Sequence, residues 1–447
     1  MKKMRFATRV GIISLATALA APAIAGEVGG YVVDGSDTVA LRSAQVRIVE
    51  LNRSATTDRD GSFLFTDVPE GEYTIEASYV GAQTVSETVS VPATGEIDVT
   101  LQLSPVDGGN EMILVVGQRA NQASALNMKR EADGVSDVIT RDAIGQFPDQ
   151  NVAESLRRLP GVNVLNDQGE GRFVSVRGLD PELVSTSLNG VRLPSPESDV
   201  RSVALDVISS DIIESIEVKK SLTPDMDGDT IGASVEIETT SAFDRRKSLL
   251  TAKIEGSYND YADHISPKGS VDFATRLGDN VGVSGGLSYY KRKFETDNIE
   301  ADDYSDAGMI FPTEVQYRDY DVERERISAS LNFDFRAGDS TKLYVRGIYS
   351  QFDDQEYRRR TTFDLGDFED FGPTTITANG ATFSDATIDD PSEPGEDLRQ
   401  RIGVERDIKD RLESQKIRSI VVGGESDWGD WFAEYSGSWA KSSETEE

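Results

Sequence analysis

The chain has no cysteine and a single histidine, His264, in 447 residues. Without thiols there is no disulfide framework, which suits a protein exported to an oxidising compartment where stray thiols would pair. One histidine excludes zinc sites built on several imidazoles. Basic residues are scarce beside acidic ones, 46 against 79, for a net charge of −33. A nucleic-acid binder needs a basic footprint that this chain lacks, and anionic lipid surfaces would repel it. No run reaches the length of a transmembrane helix, so a membrane role would have to come through a β-barrel.

What is present begins with a leader. Lys2, Lys3, Arg5 and Arg9 form a basic segment, Val10 to Ala21 an apolar one, and Ala23-Ile24-Ala25 fits the small-x-small cleavage rule. Cleavage after Ala25 leaves Gly26 as the new N-terminus, which predicts an exported protein. Residues 26–104 read as about seven short strands with turn signals such as Asp60-Gly61 and Glu70-Gly71, the pattern of a small β-sandwich. Asp58, Asp60 and Asp67 fit turn chemistry better than a metal site. Residues 105–130 read as a linker broken by Pro105, Gly108 and Gly109. It holds one apolar run, Met112-Ile113-Leu114-Val115-Val116, set between Glu111 and Gly117. That run is either an edge strand of the sandwich or an extended peptide offered to a partner's open sheet edge.

Residues 131–245 predict a compact α/β domain. "DQNVAESLRRL" has Val152, Leu156 and Leu159 on one helical face and stops at Pro160-Gly161. Asn189-Gly190 is a hairpin turn between Leu188 and Val191, and "DIIESIEVKKS" runs a short helix into a strand. Asp225, Asp227, Asp229 and Glu236 match calcium-loop positions 1, 3, 5 and 12, but Thr230 stands where that loop needs glycine, so turn chemistry is the better account.

From residue 246 onward long alternating strands take over. Val281, Val283, Leu287 and Tyr289 face one way and Gly282, Ser284, Gly286 and Ser288 the other; Ile327, Ala329, Leu331, Phe333 and Phe335 alternate with polar residues. Tight turns near Gly278, Ala337 to Ser340 and Ser426 to Asp430 alternate with long polar loops at about 295–325 and 353–412. Apolar-out, polar-in strands with short and long connections in alternation are an outer-membrane barrel pattern. A soluble sandwich is the bland alternative, though its strands are usually shorter. The fold class expected is therefore mainly β: an N-terminal sandwich, an α/β domain and the first strands of a transmembrane antiparallel barrel. No nucleophile–base pair stands out, so no enzyme and no cofactor is expected.

"NVAESLRRLPGVNVLNDQGEGRFVSVRGLDPELVSTSLNGVRLPSP" and "SSDIIESIEVKKSLTPDMDGDTIGASVEIETTSAFDR" closely resemble the plug domain of TonB-dependent outer-membrane receptors, in the branch common in Caulobacter- and Xanthomonas-type bacteria. "TTDRDGSFLFTDVPEGEYTIEASYVG" resembles the carboxypeptidase-regulatory-like module placed ahead of such plugs. The resemblance implies that Glu111 to Gly117 is a TonB box, an extended peptide that adds as a strand to TonB, working with ExbB and ExbD in the periplasm. Within the plug it singles out Arg177, Gly178, Asn189, Gly190 and Gly232. Arg157, Arg158, Arg172, Arg177, Arg192 and Arg201 are expected to pair with acids on an inner barrel wall. The implied activity is energy-coupled import through outer-membrane lipid of an extracellular ligand, an oligosaccharide first and a siderophore or other metal chelate second. A non-transporting exported adhesion or scaffold protein is the rival from another class. Acids interleaved with Tyr304, Phe311, Tyr317 and Tyr320 in the loop 295–325 would suit sugar rings and hydroxyls. Barrels of the family resemble 22-stranded structures, so seven strands predict a fragment of a longer protein.

Overall fold

The structure is a computed structural model. It describes residues 26–447 apart from 38, 105–115, 146–148, 199, 225, 227, 229, 246, 279, 306–309, 339, 366–374, 378–379, 383–385, 390–396, 401–402 and 429–430. The expected leader, with Ala23 and Ala25, lies outside the described residues, as do Glu111 to Val115 and the three aspartates of the calcium spacing.

Gly26 opens the first strand of the expected sandwich. Its strands are β1 (Gly26–Asp34), β2 (Gln45–Ile48), β3 (Arg53–Thr56), β4 (Ser62–Val68), β5 (Gly71–Ser78), β6 (Val85–Val91) and β7 (Gly95–Leu103). They form two sheets, ordered β4-β1-β7 and β3-β2-β5-β6. Alternation puts Phe63, Phe65, Val46, Ile48, Ile75 and Leu101 into one shared core. Gly61, at φ +76, makes the turn that the Asp60-Gly61 pair predicted.

The linker reading needs correction. Residues Val116–Glu131 form a helix, α1. Its last turns, "ASALNMKRE", are rich in strong helix formers, and Lys129 and Arg130 lie where they oppose the helix dipole. Tertiary contact does the rest, since Asn127 and Met128 are buried. Val116 and Gly117 therefore begin a helix, where extended chain was expected.

The α/β domain follows. It comprises β8 (Ser136–Thr140), α2 (Arg141–Gly145), α3 (Val152–Leu156), the hairpin β9 (Val162–Asp167) and β10 (Glu170–Val176), β11 (Val184–Leu188), β12 (Val191–Arg192), β13 (Ile213–Lys219) and β14 (Ala233–Thr239). The main sheet runs β12-β11-β14-β13-β8, which leaves β8 at an edge. Asn151 caps α3 by accepting from the Glu154 amide, and Val152 and Leu156 are fully buried. The tripeptide turn Ser210–Ile212 leads into β13, as the sequence pattern predicted.

Seven strands then form one antiparallel meander. They are β15 (Leu249–Asn259), β16 (His264–Arg276), β17 (Val281–Ser305), β18 (Phe311–Arg336) and β19 (Thr341–Asp364), and, after two short hairpins, β20 (Thr375–Thr377) with β21 (Gly380–Thr382) and β22 (Ala386–Asp389) with β23 (Asp397–Gln400), come β24 (Gly403–Asp427) and β25 (Phe432–Glu446). Among the described residues the sheet is open, with β15 and β25 at its edges. The expected tight turns are present, with Gly278 and Gly338 at positive φ.

The two expected long loops are mostly strand. β17 and β18 stay in register from Val281↔Phe335 to Ser305↔Phe311. β19 and β24 do so up to Asp364↔Gly403. The charge density that reads as loop is carried on a continuous ladder, because backbone pairing and cross-strand ion pairs do not require apolar side chains. Strands of 24–26 residues far exceed the roughly 9–11 that cross a bilayer.

Candidate functional site

The two faces of the meander meet different surroundings. Leu287, Leu331, Ile420, Val422 and Trp439 are exposed on one face. Ser284, Ser288, Ser328 and Ser350 are buried on the other, against the α/β domain. Their small hydroxyls bond it directly: Ser284 donates to the Thr240 carbonyl at 2.6 Å, Ser350 to that of Val207 at 2.6 Å, and Ser209 donates to Ser288 at 3.0 Å. Gly282 is needed for closeness, since a Cβ there would lie 2.8 Å from that of Ala242. Asn332 donates to Thr239 and to the Thr240 carbonyl.

Further along the same face the contact becomes ionic. Arg292 on β17 stands directly opposite Arg324 on β18, with Arg326 two residues on. Three guanidinium groups so close would repel one another. Glu170, the first residue of β10, supplies the missing charge. Its carboxylate lies 2.6 Å from Arg292, 3.3 Å from Arg326 and 3.5 Å from Arg324, and Glu170, Arg324 and Arg326 are all essentially inaccessible. Phe294, Phe352 and Tyr290 lie against these guanidiniums at 4.1–5.7 Å. Burial opposes ionisation of Glu170, but Arg324, Arg326 and Arg292 overcome it and hold the carboxyl at about 2.

A second knot surrounds Arg172, which pairs with Glu197 at 2.5 Å, Asp167 at 3.1 Å and Glu413 of β24 at 3.5 Å. Asp206 lies 4.0 Å away, and neither of its carboxylate oxygens has a hydrogen-bond partner. Burial pushes its carboxyl up to about 6, against the pull of Arg172.

The family profile "TonB-dependent Receptor Plug Domain" matches residues 128–234, and the profile "CarboxypepD_reg-like domain" matches residues 28–115. This chain carries a TonB-dependent receptor plug domain behind a carboxypeptidase-regulatory-like domain. Human carboxypeptidase D is 36% identical over 86 residues, 19% of this chain and 6% of that protein. Among solved structures, the unliganded ferric citrate transporter FecA is 13% identical with a TM-score of 0.33, covering 70% of this chain and 60% of its own. The siderophore receptor PirA from Acinetobacter baumannii is 11% identical with a TM-score of 0.30, covering 72% and 59%. The chain thus spans about 60% of the length of these receptors.

The residues singled out in the plug are structural. Arg177 and Gly178 both take positive φ where β10 ends, and Arg177 donates to the Lys220 carbonyl at 2.8 Å. Gly232 lies against Leu179 and Leu183, so this turn and that glycine meet at one end of the plug. Asn189 and Gly190 form the predicted hairpin turn, with φ of 52° and 78°. Asn189 also accepts from the Thr239 amide and hydroxyl, which extends the turn to Asn332 on the sheet. Glu236 pairs with Lys219 at 2.9 Å.

Of the six expected arginines, Arg172 does reach an acid of the sheet, Glu413. Arg158 pairs with Asp149 and Arg157 with Glu154, both within the plug. The Glu170 link between plug and sheet has the opposite polarity, with the acid on the plug and the bases on the sheet. The signal that could have revealed it is the run Arg292, Arg324, Arg326 on inward-facing strand positions, where bases are costly without a partner.

The acidic aromatic segment also divides by face. Tyr320 is buried inward beside Phe294 and Val322, whereas Tyr317 points outward, edge-on to Phe363 at 5.7 Å. Asp319, Asp321, Glu323 and Glu325 share the outward parity of Tyr317. One sugar-facing surface made of all four aromatics is thereby ruled out.

Proposed function

We propose that this protein is a TonB-coupled importer of the outer membrane and not an enzyme, with the exposed apolar face of β15–β19, β24 and β25 against lipid and the plug held in the lumen. The observation that supports this best is the plug seated on the polar, small-residue face of strands whose opposite face is apolar and exposed. The short turns and the N-terminal sandwich share one end of the molecule, as Arg336 and Lys342 pair with Asp60. On this reading that end is periplasmic, and residues 111–117 engage TonB there, driven by ExbB and ExbD.

The cargo we propose is an oligosaccharide. Above the plug the inward-facing charges neutralise one another: Arg318 with Glu300, Arg360 with Asp407, and Arg411 with Glu356 and Glu413. An anionic iron chelate would need uncompensated cations, and on this wall the inward-facing Arg318, Arg360 and Arg411 are already paired with acids. Deleting residues 111–117 from the receptor should abolish uptake of labelled oligosaccharide while binding at the cell surface persists. Unchanged uptake would overturn the assignment of the box, and induction by iron starvation alone would move the cargo to a siderophore.

A further inference from the structure

The N-terminal sandwich does not hang free. Arg59, in the turn before β4, reaches into the plug. Its Nε lies 2.5 Å from Asp244, and it donates to the Thr239 carbonyl at 2.5 Å. Arg42 pairs with Glu238 at 2.7 Å. The same sandwich turn grips the end of the meander: Asp60 takes Arg336 and Lys342, and Lys342 also lies 2.5 Å from Asp58. Arg336 donates to the Tyr31 hydroxyl at 2.9 Å. Most of these groups are sheltered, with Asp60 and Asp244 only 5% and 11% exposed.

A third grip falls on α1. The Val80 amide donates to Asn127, Arg130 donates to Gln45, and Thr56 donates to Glu131. On its other side α1 is tied to the plug by Lys129, 2.5 Å from Asp137. Asp137 sits on the edge strand β8 and is held a second time by Lys220. The helix takes in the last two residues of the proposed TonB box, Val116 and Gly117. An interface made of ion pairs is suited to reversible release, because each charge rehydrates when the surfaces part, whereas an apolar interface would strand greasy surface in water.

We propose that the sandwich is a latch, holding α1, the last plug strand and the β18–β19 turn as one block, so that tension on the box moves the plug only after the sandwich lets go. The inference rests on the import reading and adds a role for the regulatory-like domain.

Because these 447 residues hold no cysteine, Met112→Cys gives them a single thiol handle for force spectroscopy of the receptor in outer-membrane lipid. Arg59→Glu should lower the first rupture force by about half, since that rupture is then no longer sandwich release. Lys342→Asp should lower it too, and adding Asp58→Lys should restore it. An unchanged first rupture force, or failure of the charge swap to restore it, overturns the latch. If the plug never extends before the barrel wall fails, the import reading falls. Amide exchange in α1 then decides the latch alone: it should rise about tenfold in Arg59→Glu, and unchanged exchange overturns it.

Discussion

At the scale of single residues, Glu170 is the key to the plug. Replacing it by Gln leaves Arg292 and Arg326 without their acidic partner and leaves Arg324 only Asp354 and Asp167. The cost should be about 3–5 kcal/mol, read as easier urea-induced release of the plug from the sheet. The pH dependence has a definite sign. The folded carboxyl titrates at about 2, below its unfolded value near ~4.3. Its contribution is therefore complete above about pH 4.3 and is lost as pH falls toward 2. Asp206 behaves in the opposite sense. Its folded value of about 6 lies above the unfolded one, so its charge destabilises the fold at neutral pH. Asp206→Asn should stabilise plug docking by on the order of 2 kcal/mol at pH 8 and by nothing below about pH 4, measured by the same urea titration at both pH values.

At the scale of elements, the strand alternation decides which neighbour a side chain meets. Ser288 and Leu287 are adjacent on β17, yet Ser288 bonds Asp211 and Ser209 of the plug while Leu287 is 54% exposed. Ser288→Leu should expel or misplace the plug, seen as tryptic cleavage of residues 131–245 in otherwise intact membranes. Leu287→Ser should leave the plug protected and weaken retention in the membrane by about 1–2 kcal/mol, seen as easier extraction. The periodicity of these strands was plain from the sequence. Their length was not, because beyond Tyr290 the outward positions become Lys, Glu and Asp, and a charged strand composed this way has the composition of a loop. α1 was missed for a related reason. Its helix formers sit beside Asn121, Gln122 and Ser124, and only burial of Asn127 and Met128 between two domains makes the segment worth ordering.

At the scale of the whole molecule, two interfaces differ in how well water reaches them. The sandwich is held by ion pairs whose members include Arg42, Lys342 and Asp58, at 30%, 31% and 55% exposure. The Glu170 knot is sealed. Raising salt to about 1 M shortens the screening length to about 3 Å and weakens accessible pairs first. Trypsin sites around α1 should therefore open in high salt while the plug stays protected, and simultaneous loss of both would contradict this ranking.

The sequence by itself determined the order of domains, the alternation of the sheet and its two faces, and the turn chemistry at Asn189-Gly190 and Gly178. These depend on local backbone preference and on a period of two, which neighbouring residues carry between them. It also carried the resemblance that the plug and regulatory-like profiles bear out. Tertiary structure alone decided which charges meet. Glu170 finds its arginines 122 to 156 positions away, and Asp60 finds Arg336 276 positions away. No local pattern specifies such pairings, because an ion pair depends on distance in space and on the exclusion of water, and both arise only once the sheet has packed against the plug.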